Sequence, residues 1–411
     1  MKRIFEFWTK TSLILRIAVG IVVGAALALL VPQASIIANL GDLFVGALKA
    51  IAPLLVAVLV ISSLAKAGKN TGAQFRIVVI LYLTTTFAAA LIAVISSKLF
   101  PVTLTLSASA ESSAPAGLAE VFRTLIMTMV GNPINAIAQG SYTGILFWSI
   151  VVGLAMRKVA GEHTLQLLSD FSDAISATVR WVIQFAPFGI LGIVFSSVSA
   201  GGLDIFTTYG KLLAVLVGTM LFCALIVNPA VVAAMLRKNP YPLVLQCLRE
   251  SGVQAFFTRS SAANIPVNMA LCEKLGLNKD FYSVSIPLGS TINMEGAAVT
   301  ITVMTLATAN TIGIQVPFAA AIFLCLISTL GACGASGVAG GSLLLIPLAC
   351  SFLGIGDDVA MQVVAVGFIV GVIQDSMETA LNSSGDVIFT ATAERFSRRK
   401  QEHRAEKGQE L

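Results

Sequence analysis

"QDSMETALNSSGD" runs from Gln374 to Asp386, between the apolar stretches "VAMQVVAVGFIVGVI" and "VIFTATA". It sets two aspartates, a glutamate, an asparagine and several small hydroxyl residues inside a segment long enough to cross a membrane. On a helix, Asp375, Thr379, Asn382 and Asp386 are spaced four, three and four apart, so they share one stripe, with Glu378 on its edge. An ionisable group within a span costs about 2.5 kcal/mol or more on insertion scales. Asp375, Glu378 and Asp386, together with Glu295 in another apolar run, therefore need compensation. Arg259 is the one basic residue near the hairpin tips described below, and bound cations or a ligand ammonium can supply the rest.

The remainder of the chain makes a membrane setting unavoidable. Of its 411 residues 56% are hydrophobic and 11% charged, and the mean hydropathy is +0.90. Soluble domains carry about 25% charged residues, so a soluble enzyme is excluded. The apolar runs are continuous, not alternating in segments of about ten residues, which excludes a membrane-spanning barrel. The reading is an all-α polytopic membrane protein with no large soluble domain. Cys223, Cys247, Cys272, Cys325, Cys333 and Cys350 lie in or beside apolar runs and pack as small hydrophobes. His163 and His403 lie in polar stretches, leaving little for a transition-metal site. The first apolar run is too long for a cleavable signal peptide, and the net charge of +5 belongs to membrane orientation, so no nucleic-acid partner is expected.

Spans are expected at 12–32, 43–65, 77–100, 144–156, 167–200 (one long tilted helix), 209–236, 284–309 and about 358–393. Segment 244–276 is too polar in its middle to span. Segment 319–354 has two apolar arms around a centre of Gly, Ala and Ser. Lys2, Arg3, Lys10, Lys66, Lys69, Arg76, Arg157, Lys158, Arg237, Lys238, Lys274, Lys279 and the cluster Arg395 to Lys400 mark one side as cytoplasmic. The alternation closes only if 244–276 dips in from the cytoplasm and 319–354 from outside. Eight spans, two re-entrant hairpins and both termini inside follow. The basic tail 394–411 is a stop and orientation signal, with anionic lipid head groups as its alternative partner.

Re-entrant backbone is tolerated at membrane depth only when buried in protein or lining a water-filled cavity. The hairpin tips "TRSSAANIP" (258–266) and "GACGASGVAGG" (331–341) are small-residue turns whose free N–H groups and serine hydroxyls suit a carboxylate. The break "NMEG" (293–296) frees carbonyl oxygens that, with Asn293, can ligate a hard cation such as sodium. Asp386 beside Asn293 and Asn382 is the natural cation cage, and Asp375 the natural partner of an amine.

"TRSSAANIP", "PLGSTINMEG", "GACGASGVAGG" and "DSMETALNSSGD", in this order, resemble the dicarboxylate/amino acid:cation symporter family, with its glutamate-transporter-like fold, over nearly the whole chain. The resemblance implies a homotrimer with inverted repeats and an elevator mechanism. It implies a scaffold from about 12–66 and 142–236, and a transport part from 77–100 and 244–393, to which 167–200 is also drawn. It implies that Ser260 and Ser261 hold the substrate α-carboxylate, Gly337 belongs to the gate, and Asp375 binds the α-amino group beside Thr379 and Asn382. Gly289, Asn293, Asn382 and Asp386 match one sodium site. Thr291, with carbonyls from Thr329 to Ala332, matches a second. Tyr82, Thr85, Thr86, Asn293 and Glu295 match a third.

Two positions depart from the family. Members that carry acidic substrates have an arginine where this chain has Glu378, and the third sodium site has aspartate where this chain has Glu295. A carboxylate at 378 repels acidic substrates and can accept a hydrogen bond from a substrate hydroxyl. The expected function is sodium-coupled uptake of L-serine and L-threonine across a bacterial inner membrane, with sodium ions co-transported and no organic cofactor. A proton- or sodium-coupled carrier of other neutral amino acids or C4-dicarboxylates is the alternative. An intramembrane hydrolase using Ser261 lacks a Lys or His base, and two closed hairpins suit occlusion better than an open channel.

Overall fold

The computed structural model describes residue 11 and residues 13–66, 73–106, 126, 127, 129–334 and 340–409. Every regular element among them is helical. The first half holds α1 (Leu13–Leu30), α2 (Ala38–Lys66), α3 (Ala73–Leu99), α4 (Pro133–Gln139), α5 (Tyr142–Val159), α6 (Glu162–Gln184), α7 (Ala186–Gly201) and α8 (Ile205–Phe222). A π turn over Cys223–Val227 leads from α8 into α9 (Asn228–Leu236). Pro229 has no N–H to give to the ladder, and the register slips by one residue just before it.

Five described helices are long and apolar enough to cross a membrane, or six if α6 and α7 count as one bent span. That pair corrects the expectation of one tilted helix over 167–200. The axis turns by 52° at the break, where Pro187 stands in the first turn of α7. The apolar run hides this break, because a proline at a helix start needs no change in hydropathy. The expected spans at 12–32 and 144–156 fold as α1 and α5, of 18 residues each, or about 27 Å of helix. Close helix packing is written into α1. A Cβ at Gly20 or Gly24 would sit 2.4 Å from the Pro187 carbonyl oxygen or 2.5 Å from that of Leu191, both on α7, so small residues four apart let the two backbones touch.

The second half carries the site. Here α10 (Tyr241–Cys247), a π turn (Leu248–Gly252) and α11 (Val253–Thr258) form one arm, and α12 (Ser261–Lys274) returns beside it. Arg259 adopts φ 51 between the arms and ends α11 in a left-handed cap. After this first hairpin come α13 (Lys279–Ile292) and α14 (Glu295–Thr311), separated at Asn293–Met294 as the "NMEG" break requires. The second hairpin has arms α15 (Phe318–Ala332) and α16 (Ile346–Phe352), joined side by side by stacking of Phe323 on Phe352 with centroids 6.4 Å apart. The chain ends in α17 (Asp357–Gln409). Every residue of α14 from Glu295 to Ala309 is buried, so the broken helix forms the centre on which α17 and both hairpins close.

Candidate substrate and cation site

The stripe read from the sequence lies on one buried face of α17. Asp375, Glu378, Thr379, Asn382 and Asp386 are all buried. Asp375 is held from both hairpins. Arg259 Nε donates to its Oδ2 at 2.7 Å, and the Gly340 backbone N–H donates to its Oδ1 at 3.2 Å. The expected amine partner therefore already faces a cation, one supplied by the first hairpin's tip. The guanidinium side chain keeps 14% of its surface exposed, against 4% for the aspartate.

Glu378 sits one turn further on, among neutral donors. Thr300 Oγ1 at 2.9 Å, Ser342 Oγ at 2.7 Å and Gln374 Nε2 at 2.5 Å all donate to its Oε2. No described group donates to Oε1. These three donors come from α14, the second hairpin and α17 itself, and the sequence reading had named none of them. Their signal was present only as hydroxyl and amide residues in apolar runs, which does not reveal a common partner.

The C-terminal part of the stripe closes on the helix break. Asn293 Nδ2 donates to Asp386 Oδ1 at 3.0 Å and to the Asn382 carbonyl at 2.9 Å. Asn382 Oδ1 accepts from the Gly296 N–H at 2.7 Å, tying α17 to the start of α14. Among the described residues Asn293 Oδ1 and Asp386 Oδ2 are buried without a partner. Gly289 is required here by space: a Cβ would meet Asp386 Oδ1 at 2.7 Å and the Tyr82 hydroxyl at 2.9 Å.

Residues 13–396 match the sodium:dicarboxylate symporter family. This chain belongs to that family. It is therefore a transporter, not an enzyme. Similar proteins include "Serine/threonine transporter SstT" of Streptococcus thermophilus, 59% identical over 96% of this chain and 98% of that one. The protein of the same name from Streptococcus agalactiae is 58% identical over the same shares. That from Bifidobacterium adolescentis is 57% identical over 96% of this chain and 92% of its own length.

The other expected site residues of this symporter divide. Ser261 is buried at the start of α12, whereas Ser260 serves as its N-cap, accepting from the Ala263 N–H at 3.2 Å. Thr379 donates to the Asp375 carbonyl at 2.7 Å. Thr291 is half-buried and donates to the Leu288 carbonyl. The Cys333 thiol reaches the Ile292 carbonyl at 3.6 Å, which sets the end of α15 against the end of α13. Gly337 lies outside the described residues.

The third expected set lies around the helix break, its members engaged in hydrogen bonds of their own. The Tyr82 hydroxyl is 2.9 Å from Thr390 Oγ1 and 3.2 Å from the carbonyls of Ser285 and Asp386. Thr86 donates to the Tyr82 carbonyl at 2.7 Å and accepts from the Met294 N–H. Glu295 instead pairs with Asn228, a residue the sequence reading passed over.

A third network joins the first hairpin to α17. Asn264 Nδ2 reaches Ser383 Oγ at 2.7 Å and Ser251 Oγ at 3.0 Å, and Asn268 Nδ2 donates to the Ser383 carbonyl at 3.0 Å. Ser251 Oγ donates to Asn268 Oδ1 at 2.5 Å. All four residues are fully buried, so their polar groups are satisfied largely by one another.

Proposed function

We propose that the chain is a secondary active transporter that couples sodium entry to uptake of L-serine and L-threonine across a bacterial inner membrane. The observation that carries this reading is the contrast between the two carboxylates at 375 and 378. Asp375 is matched to a cation that a ligand ammonium can replace. Glu378 is held only by hydroxyl and amide donors, all on Oε2. Its Oε1 is then the acceptor for a side-chain hydroxyl, and no described cation stands there to receive a second carboxylate. The names of the similar proteins agree with a hydroxyl-bearing amino acid.

In this reading the substrate α-carboxylate lies at Ser261 and the amino end of α12, whose first N–H groups have no helical partner. Sodium occupies Asp386, Asn293, Asn382 and the carbonyls around the break, where Asn293 Oδ1 and Asp386 Oδ2 are buried without partners among the described residues. The family reading adds eight spans, two re-entrant hairpins and cytoplasmic termini. It also adds a trimeric scaffold against which α3, the hairpins, α13, α14 and α17 move as an elevator, with lipid around the whole. The residues near 337 would form part of the gate.

Radiolabelled serine uptake into proteoliposomes, with an inward sodium gradient against a matched potassium control, tests the proposal. Uptake that requires sodium and is blocked by threonine, but not by aspartate or succinate, is the expected result. Uptake indifferent to sodium, or blocked by succinate, would show that the carrier is of another kind.

A further inference from the structure

Two buried pairs in this protein share one pattern. In the first, Asn293 Nδ2 donates to Asp386 Oδ1, and Asn293 Oδ1 and Asp386 Oδ2 are left buried without partners. In the second, Asn228 Nδ2 donates to Glu295 Oε2 at 2.8 Å, and Asn228 Oδ1 and Glu295 Oε1 are left in the same state. Asp386 and Glu295 supply the two buried, unpartnered carboxylate oxygens found among the described residues. Glu295 is fully buried and Asn228 is 1% exposed. No described Lys, Arg or His forms an ion pair with Glu295. A carboxylate so placed is costly unless a positive charge joins it.

We propose that Asn228 is a cation-site residue, completing with Glu295 a site for a small hard cation of the sodium type. The ligands offered are Asn228 Oδ1 and Glu295 Oε1. The Thr85 hydroxyl lies beside the same carboxylate and donates its proton to the Leu81 carbonyl at 2.8 Å, which leaves its lone pairs for a cation. The glutamate arm is one methylene longer than an aspartate, and it reaches across to α9. The π turn before Asn228 helps to set that residue inward. Tyr82 and Thr86, which the family resemblance assigns to this cation, sit at the same helix break, on the Asp386 carbonyl and the Met294 N–H. Asn228 adds a ligand from α9.

This inference rests on the sodium-coupled reading above, and the test separates the two. Serine uptake is measured in proteoliposomes as a function of sodium for the wild type, Asn228→Leu and Asn228→Asp. Sodium-induced thermal shifts of the purified, serine-free protein provide a second readout. The leucine variant removes both donor and ligand. The aspartate variant keeps two oxygens but loses the N–H that braces Glu295. The expected result for Asn228→Leu is a rise of about tenfold or more in half-saturating sodium and a smaller sodium-induced shift. Its serine KM at saturating sodium should stay within about twofold of wild type. Asn228→Asp should retain tight sodium dependence. Loss of sodium dependence in both variants alike would overturn the proposal, because only the brace would then matter. A wild-type sodium curve in Asn228→Leu would overturn it as well. If Asn228→Leu does not fold, the aspartate variant decides alone: a weakened sodium response refutes the ligand role and a retained one supports it. A wild type indifferent to sodium would instead remove the coupled-transport reading itself.

Discussion

Both hairpins meet Asp375 but they are fastened differently. The first is fixed to α17 by side chains: the amide network of Ser251, Asn264, Asn268 and Ser383, and the Arg259–Asp375 ion pair. The second touches the site through the Gly340 N–H and the Ser342 hydroxyl. Among the described residues its arms add the Ser328–Thr302 hydroxyl contact, the Cys333 thiol on the Ile292 carbonyl, and apolar contacts such as Phe323 on Phe352 and the buried run Leu343 to Ile346. Lifting the first hairpin would strand several buried amide groups, each costing about 1–3 kcal/mol when unpaired. The comparison teaches that polarity at a membrane contact can lock an element as firmly as packing does.

The sharpest way to break this comparison is to remove the amide network. Asn264→Ala together with Asn268→Ala should lower the thermal midpoint in detergent strongly, by more than about 2 kcal/mol in equivalent stability. Phe323→Leu on the second hairpin should cost less than about 1.5 kcal/mol. Equal losses would mean the hairpins are not held differently.

A second perturbation exchanges the charge at 378. Glu378→Arg should reduce serine uptake by about a hundredfold, since one buried charge reversal costs several kcal/mol, and should let aspartate compete. Unaltered serine uptake would refute the specificity argument. A smaller effect is expected at the first hairpin's tip. Arg259→Met should lower the midpoint of the serine-free protein and enlarge the shift that serine brings, because the substrate ammonium then supplies the missing positive charge. Identical serine shifts in variant and wild type would show that guanidinium and substrate do not share Asp375. The smallest effect belongs to the surface pair Lys274–Glu250 at 2.8 Å, whose lysine side chain is 59% exposed. Glu250→Gln should move the midpoint by only about a degree, as exposed ion pairs contribute little.

Much of this arrangement was legible in the sequence, and for definite reasons. The α17 stripe showed because carboxylates at helical spacing in an apolar run need compensation, and few basic residues are near to supply it. The break at Asn293 showed because polar residues and a glycine interrupt a span. What remained hidden depends on long-range geometry. Nothing near Glu295 in sequence points to Asn228, 67 residues away. Thr300, Ser342 and Gln374 became partners of Glu378 only once α14, the second hairpin and α17 were packed. The 52° bend at Pro187 was masked by unbroken hydropathy. The Tyr82 hydroxyl also meets Thr390 and the Ser285 carbonyl, contacts from α3 to α17 and α13 that no local pattern records.

The central claim is that Asp375 receives the substrate's ammonium. Calorimetric titration of L-serine at saturating sodium into the wild type and Asp375→Asn tests it directly, with monodispersity and the sodium-induced thermal shift as controls for folding. The account predicts measurable binding to the wild type and a loss of at least about a hundredfold in the folded variant, the expected consequence of removing one partner of a buried charge pair. Serine affinity unchanged in a folded, sodium-responsive Asp375→Asn would contradict it.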